Sequence, residues 1–288
     1  MKNAIVIPIY SGHFARFSTL INTIEKISLN DCSIVFISST YDEQIRMLRY
    51  IGPDRSHIMI LNLEQLAMSY LNLDSTQLEQ FLRDSNSVVN LKKLLGLLNC
   101  FERGHKCAVA IDSDTMILNN FNSDRFFNDC QKNYLKQIFY GKKHTEIEGL
   151  YTEIIHKSMT MIGLDTRDIN NAFYNWFFDV PYYESNDFMD FIIYLNNKYG
   201  DKWWFNLSWF TFDHLVYSFF LISQKDWKFQ SYTNISDDFP EDIRSHHLFK
   251  IYQDHDYYPV WIRHRTLSEM PELKALNSKI QMVYHMDR

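Results

Sequence analysis

Two aspartates, Asp112 and Asp114, follow directly on the apolar run Cys107-Ala108-Val109-Ala110-Ile111. A run of small and apolar residues of this length reads as a strand buried on both faces of a parallel sheet. In extended chain, residues i and i+2 point to the same side. The two carboxylates are therefore expected to converge where the strand leaves the core. Carboxylates that close repel one another, and one holds its proton unless a cation neutralises the pair. The chemistry that suits them is a hard divalent metal held by oxygen ligands and shared with a substrate phosphate. Asp-Ser-Asp is also an ordinary turn composition. The apolar strand before it and Met116-Ile117-Leu118 behind it favour the metal reading.

The elements that must position this pair read as alternating strands and helices. Ala4 to Ile9 is a first strand, with Pro8 near its exit where a missing N–H is tolerated. Phe14, Phe17, Leu20, Ile21, Ile24 and Ile27 then recur at helical spacing. Ser33 to Ile37 is a second strand, and a short helix carrying Ile45 and Leu48 ends at Gly52-Pro53. Ile58 to Leu61 is a third strand, followed by helical pattern over Leu63–Leu71 and Thr76–Leu82. Ser87 suits the cap of a helix whose stripe is Val88, Leu91, Leu94, Leu95, Leu98 and Phe101, with Gly104 at its end. Such alternation predicts an α/β fold, a mainly parallel Rossmann-type sheet flanked by helices. Ligands on these sheets sit at the carboxyl ends of the strands. That edge collects Tyr10, Ser11, Ser38, Ser39 and the Asp112–Asp114 pair.

Beyond Leu118 the pattern changes. Strands are expected at Gln137–Tyr140, Trp227–Phe229 and Tyr258–Ile262, an extended aromatic stretch at Ala172–Phe178, and helices at His144–Ile162, from a Ser185 cap to Gly200, from about Thr211, and in the tail from Ser268. A soft boundary near residue 120 divides the chain into residues 1–120 and 121–288, two halves of one compact domain. No repeat or linker separates them.

Composition narrows the function classes. The chain has 288 residues, 46% of them hydrophobic, enough for one large domain. Only 8 glycines argue against glycine-loop nucleotide folds. The net charge of -6, without a dense basic patch, makes nucleic acid an unexpected partner. Cys32, Cys100, Cys107 and Cys130 lack CxxC spacing and fit free thiols in a reducing cytoplasm. The N-terminus enters a strand at once, too short an apolar run for a signal peptide. Trp203–Ile222 is broken by Asn206, Asp213 and His214, so it reads as a buried segment and not a membrane span. A soluble cytoplasmic protein is expected, with attachment to the inner face of a membrane compatible with the sequence.

The first half resembles the nucleotide-sugar half of GT-A-fold glycosyltransferases. The resemblance rests on Ile5-Val6-Ile7-Pro8-Ile9-Tyr10, on Phe36-Ile37-Ser38-Ser39, on Asn90-Leu91-Lys92-Lys93 leading to Phe101, and on Asp112-Ser113-Asp114. It covers residues 4–120, and the aromatic-rich second half fits an acceptor half that varies with the acceptor. The resemblance implies a Mn²⁺ or Mg²⁺ ion on Asp114 that bridges the diphosphate of a nucleotide-sugar donor, most simply UDP-linked. It implies that Asp112 contacts the ribose or reaches the metal through water, and that Ser113 belongs to the same donor site. Ile9, Tyr10 and Ser39 would surround the base and ribose. Lys92 or Lys93 would face the donor, the helix stripe leaving at most one of them on the ligand side; Lys93 is the choice. An inverting transferase also needs a carboxylate to take the acceptor hydroxyl proton. Asp213, Asp179 and Asp187 are candidates, with Asp213 ahead, although an Asp at a helix start is commonly a cap. A C-terminal histidine as further metal ligand points to His264, with His247, His246 and His285 as alternatives. Trp203, Trp204, Trp209, Tyr182 and Tyr183 suit either stacking on sugar rings or filling the core. The implied reaction moves a sugar to a carbohydrate acceptor, with a bacterial surface polysaccharide as product.

Rival readings are a haloacid-dehalogenase-type phosphatase, a sugar-phosphate nucleotidyltransferase and a non-catalytic sugar or nucleotide binder on a degenerate transferase fold. The phosphatase motif D-x-D-x-T would need Thr where Met116 stands, and the nucleotidyltransferase would open on a Gly-rich, Arg-containing loop where Tyr10-Ser11-Gly12-His13 stands.

Overall fold

The fold is built outward from β1 (Asn3–Pro8), whose residues from Ala4 onward are all buried. The structure, a computed structural model, describes residues 3–9, 12, 14–25, 27, 29–51, 56–85, 88–143, 149–165, 172–174, 181–231, 261–263 and 280–284. After β1 come α1 (Phe14–Ile24), β2 (Cys32–Ser38), α2 (Tyr41–Ile51), β3 (Ile58–Asn62), α3 (Leu63–Leu71), α4 (Ser75–Ser85), α5 (Val88–Glu102) and β4 (Cys107–Ala110). The first half ends with β5 (Met116–Ile117), and the second opens with α6 (Ser123–Tyr134), β6 (Ile138–Lys143), α7 (Leu150–Ile162), β7 (Phe173–Tyr174) and β8 (Tyr182–Glu184). It continues with α8 (Ser185–Tyr199), a 3-10 helix (Gly200–Asn206), α9 (Asp213–Lys225), β9 (Lys228–Ser231), β10 (Trp261–Arg263) and β11 (Met282–Tyr284).

The main sheet has the order β3-β2-β1-β4-β8. Its first four strands run parallel, and β8 closes the edge antiparallel to β4. This is the α/β, mainly parallel sheet that the strand and helix alternation predicts. Alternate side chains of β1 serve two cores: Ala4 and Val6 pack towards α5, α8 and α9, while Ile5 and Ile7 pack towards α1. Burial of both faces explains why the strands read as unbroken apolar runs rather than as alternation. The two halves of the chain are sewn together, since β8 joins the main sheet and β11 pairs antiparallel with β5. A third sheet has the order β7-β6-β9.

Three local expectations are revised. Glu184 occupies the N-cap position of α8 and Ser185 is its first helical residue, with no side-chain cap bond. In the tail, residues 282–284 form a strand and not a helix, because Met282 and Val283 find partners on β5. The chain after β4 does not stay extended through Asp114. It turns at residues 113–114, and the Thr115 N–H bonds to the Asp112 carbonyl at 3.0 Å. The expected caps Ser87 and the strand start at Tyr258 lie outside the described residues.

Candidate functional site

The site begins with α5, which is buried nearly all round, as a helix between two packed layers must be. The helix packs tightly on the sheet at Gly96. A Cβ added there would lie 2.8 Å from Val6 Cγ1 and 3.0 Å from Ile37 Cδ1. Lys92 and Lys93 sit four and three residues earlier, on the same helix face, one turn nearer the N-terminus. A helix that returns the chain to a parallel strand runs against the strands. Its N-terminal turn therefore lies at their carboxyl edge, and close packing at Gly96 brings both lysines to that edge.

The two ammonium groups meet different partners. Lys92 Nζ donates to the Ile9 carbonyl just past β1 and, at 2.8 Å, to Ser39 Oγ just past β2. Burial lowers its pKa to about 8, opposed by the nearby Glu43 carboxylate, which itself accepts the Ser39 N–H at 2.7 Å. Lys93 Nζ lies 2.9 Å from Asp112 Oδ1 and 3.7 Å from Asp213 Oδ1. Burial alone would depress the Lys93 pKa; the Asp112 and Asp213 carboxylates outweigh it and raise the pKa above the ordinary lysine value. The apolar stripe implied that at most one lysine would face the ligand edge. Both ammonium groups reach the carboxyl edge of the sheet, where acceptors or countercharges await them.

Asp112, Ser113 and Asp114 form the turn at the end of β4, where Ile111 still bonds to Val6 of β1. The side chain of Asp112 is 44% exposed, Ser113 is buried and Asp114 is half-buried. The turn, rather than strand alternation, sets the carboxylates at the sheet edge. Their donor chemistry fits a hard divalent cation, which needs only one or two carboxylates when it shares substrate phosphates. Among the described residues no three His, Cys, Asp or Glu side chains gather into a metal-holding group.

Asp213 reaches the same place from the other half of the chain. It is the first residue of α9 but does not cap it; the cap position is Phe212. Its side chain is fully buried. Tyr183 on β8 donates to Asp213 Oδ2 at 2.8 Å. Burial first, and then the Asp213 carboxylate, raise the Tyr183 pKa well above its ordinary value, so the phenol keeps its proton. Beside it, burial pulls the His214 pKa down to about 4, with Asp213 opposing and Lys93 assisting, which leaves the imidazole neutral at pH 7. Upstream, the Asn90 side chain on α5 donates to the Thr211 carbonyl at 2.7 Å. It ties the approach to α9 onto the lysine-bearing turn of α5.

The structure thus brings Ile9, Ser39, Lys93, Asp112, Ser113, Asp114 and Asp213 to one edge. Asp187 is elsewhere, accepting a bond from Tyr134 at 2.8 Å and paired with Lys225 at 3.1 Å. Tyr10, Asp179, His264, His247, His246 and His285 lie outside the described residues. Of the aromatics considered for sugar stacking, Trp203, Trp204, Tyr182 and Tyr183 are buried in the core, and Trp209 is exposed. The sequence assigned no role to Glu43 or to the Asn90 side chain and gave no sign of the Tyr183–Asp213 bond. Asn90, Lys92 and Lys93 cluster in the first turns of α5, ahead of the apolar run Leu94 to Leu98, and that anomaly was the available signal.

No family model matches the chain, and no curated protein matches it. Three solved glycosyltransferases are similar to it. One is the bifunctional glycosyltransferase WbbM in its apo form, with 11% identity and a TM-score of 0.44 over 100% of this chain and 46% of that one. Another is TarS residues 1–349 of S. aureus in complex with UDP-GlcNAc, with 11% identity and a TM-score of 0.30 over 50% of this chain and 35% of that one. The third is GlyE of Streptococcus pneumoniae TIGR4, with 10% identity and a TM-score of 0.40 over 100% of this chain and 55% of that one. The chain spans about half the length of these structures, or less. Among the described residues no helix is long and apolar enough to cross a membrane.

Proposed function

We propose that this chain is a metal-dependent glycosyltransferase that takes a sugar from a nucleoside diphosphate, most simply UDP, and passes it to a carbohydrate acceptor. The observation that carries the reading is the Asp112–Asp114 turn at the carboxyl edge of a parallel sheet, backed by the buried Lys93 at 2.9 Å from Asp112. Carboxyl edges of such sheets are where ligands bind. Asp114 and Asp112 are the residues that would hold Mn²⁺ or Mg²⁺, with His264 as the candidate further ligand. Such an ion supplies stabilisation of the charge that develops on a diphosphate leaving group.

The remaining roles belong to the chain's own groups. Lys93 stays charged and holds one oxygen of Asp112, so the carboxylate is oriented before the donor arrives. Preset charge of this kind costs no reorganisation at the moment of reaction. Asp213 is a positioning residue in this reading. It is wholly buried, and it fixes Lys93 while Tyr183 fixes it. Lys92 ties Ile9 to Ser39 and sets the width of the edge where the base and ribose would lie. For the proton of the acceptor hydroxyl the candidate is Asp179, which lies outside the described residues. A bacterial surface polysaccharide as product, and attachment to the inner face of a membrane, belong to the same proposal.

The test is thermal unfolding against a panel of nucleoside diphosphates, each with and without Mn²⁺. A ligand that binds only the native state raises the midpoint by mass action. A midpoint that rises with one nucleotide only when metal is present supports the reading and identifies the base. No rise with any nucleotide, or a rise with metal alone, overturns it.

A further inference from the structure

We propose that Trp209 is a stacking platform for a sugar ring of the acceptor, presented by a turn that Asn90 ties to the lysine-bearing helix. The inference rests on the transferase reading for the word acceptor, but the platform is argued from the turn itself. Trp209 is 52% exposed, while Leu207 before it and Thr211 after it are buried. A single exposed aromatic is ordinary on a protein surface. What surrounds this one is not.

Residues 208–211 are knitted by polar bonds. The Thr211 N–H bonds to the Ser208 carbonyl at 3.1 Å, the Ser208 N–H to Thr211 Oγ1, and the Phe210 N–H to Ser208 Oγ at 3.2 Å. Asn90 then clamps the turn from α5, donating to the Thr211 carbonyl at 2.7 Å and to the Ser208 carbonyl at 3.4 Å. Asn90 stands two residues before Lys92, and Thr211 two residues before Asp213. The turn is therefore fastened at both ends to the elements that carry the charged edge. Phe210 packs against the core while Trp209 turns outward. A rigid backbone that offers a large aromatic to water has already lost the conformational freedom that binding would otherwise remove. The flat indole suits the apolar C–H face of a sugar ring, with its N–H left to meet a hydroxyl. Immediately upstream, Phe205 is 60% exposed and stacks on the buried Trp204 with ring centroids 3.8 Å apart. The segment therefore shows a second aromatic face.

The experiment uses the full chain and a panel of methyl glycosides: the α-glucoside, β-galactoside, α-mannoside and β-N-acetylglucosaminide. Saturation-transfer NMR is recorded on the wild type, Trp209→Ala and Trp209→Phe, with the nucleotide-induced midpoint rise measured on the same samples. The expected result is that at least one glycoside binds the wild type, that Trp209→Ala weakens it by about tenfold, and that Trp209→Phe retains it. Binding unchanged in Trp209→Ala overturns the platform, and so does failure of every glycoside to bind the wild type. The midpoint rise reports the donor site alone. Its absence alongside Trp209-dependent glycoside binding removes the transferase reading and leaves the platform standing.

Discussion

Lys93 on α5 and Asp213 on α9 are brought within 3.7 Å of each other in the interior, although they come from opposite halves of the sequence. Neither would be stable there alone. The ammonium is further neutralised by Asp112 at 2.9 Å, and the carboxylate is further satisfied by the Tyr183 hydroxyl at 2.8 Å. The buried pair fixes how α9 sits on α5, and it ends in a half-exposed carboxylate at the sheet edge. Stability and site geometry are therefore coupled through the same two residues.

That coupling is measurable. Removing one partner of a buried pair leaves the other charge uncompensated and costs about 3–5 kcal/mol. Lys93→Ala and Asp213→Ala are each expected to lower the urea-unfolding free energy by about that amount. The double variant should cost clearly less than the two losses added, because contacting residues couple. Strict additivity in the double-mutant cycle would mean that the two groups do not sustain each other.

Gly96 carries the second prediction. Its replacement by Ala would gain about 1 kcal/mol of helix propensity on an open surface. Here the new Cβ meets Val6 Cγ1 at 2.8 Å and Ile37 Cδ1 at 3.0 Å. Overpacking of this kind costs about 1–3 kcal/mol, and lifting α5 withdraws Lys92 and Lys93 from the edge. Gly96→Ala should therefore lower the thermal midpoint and weaken the nucleotide-induced rise together. A stabilised variant with an intact nucleotide response would contradict the close-packing account.

The strand and helix alternation of the first half was legible because each element carries its own period: unbroken apolar strands, and stripes such as Leu91, Leu94, Leu95 and Leu98. The carboxylate pair was legible by type, but its geometry was not. The turn at Ser113–Asp114 depends on β4 ending early, where the sheet edge lies. Ser185 looked like a cap because caps are local, yet β8 runs through Glu184 and shifts the helix start by one residue. The Tyr183–Asp213–Lys93 chain was invisible, since nothing local in β8, α9 or α5 encodes which of them meet. Helical tail residues were expected where Met282–Tyr284 form a strand, because pairing with β5 is a tertiary event.

Lys92 gives a pH signature whose sign can be worked out. Its folded pKa of about 8 lies below the ordinary 10.5. Below pH 8 both states carry the charge, and burial costs about 3 kcal/mol. Between about 8 and 10.5 the unfolded chain holds a proton that the folded chain has released, so stability rises with pH from this group. The buried thiols of Cys32, Cys100 and Cys107, raised by burial, pull the other way above pH 9. The wild type alone will not isolate Lys92. The difference between wild type and Lys92→Met will: the wild type should gain on the variant as pH climbs from 8 to 10.5. A difference that stays flat across that window would show that the buried amine does not titrate there.

Asp114 and Asp112 should part company when each is replaced. Asp112 holds Lys93, so Asp112→Ala leaves the ammonium with Asp213 as its remaining countercharge at 3.7 Å. That variant is expected to lower the midpoint by itself, before any ligand is added. The ion pairs of Lys93 run to Asp112 and to Asp213. Asp114 is half-buried, and taking a carboxylate out of water costs free energy, so Asp114→Ala should keep its fold and its midpoint. In the transferase reading it loses the metal, and with it the Mn²⁺-dependent rise with nucleoside diphosphate. Thermal unfolding of both variants with and without Mn²⁺ and UDP separates the two roles. A metal-dependent rise that survives in Asp114→Ala would remove the ion from that carboxylate, and an unchanged midpoint in Asp112→Ala would remove the structural part assigned to its bond with Lys93.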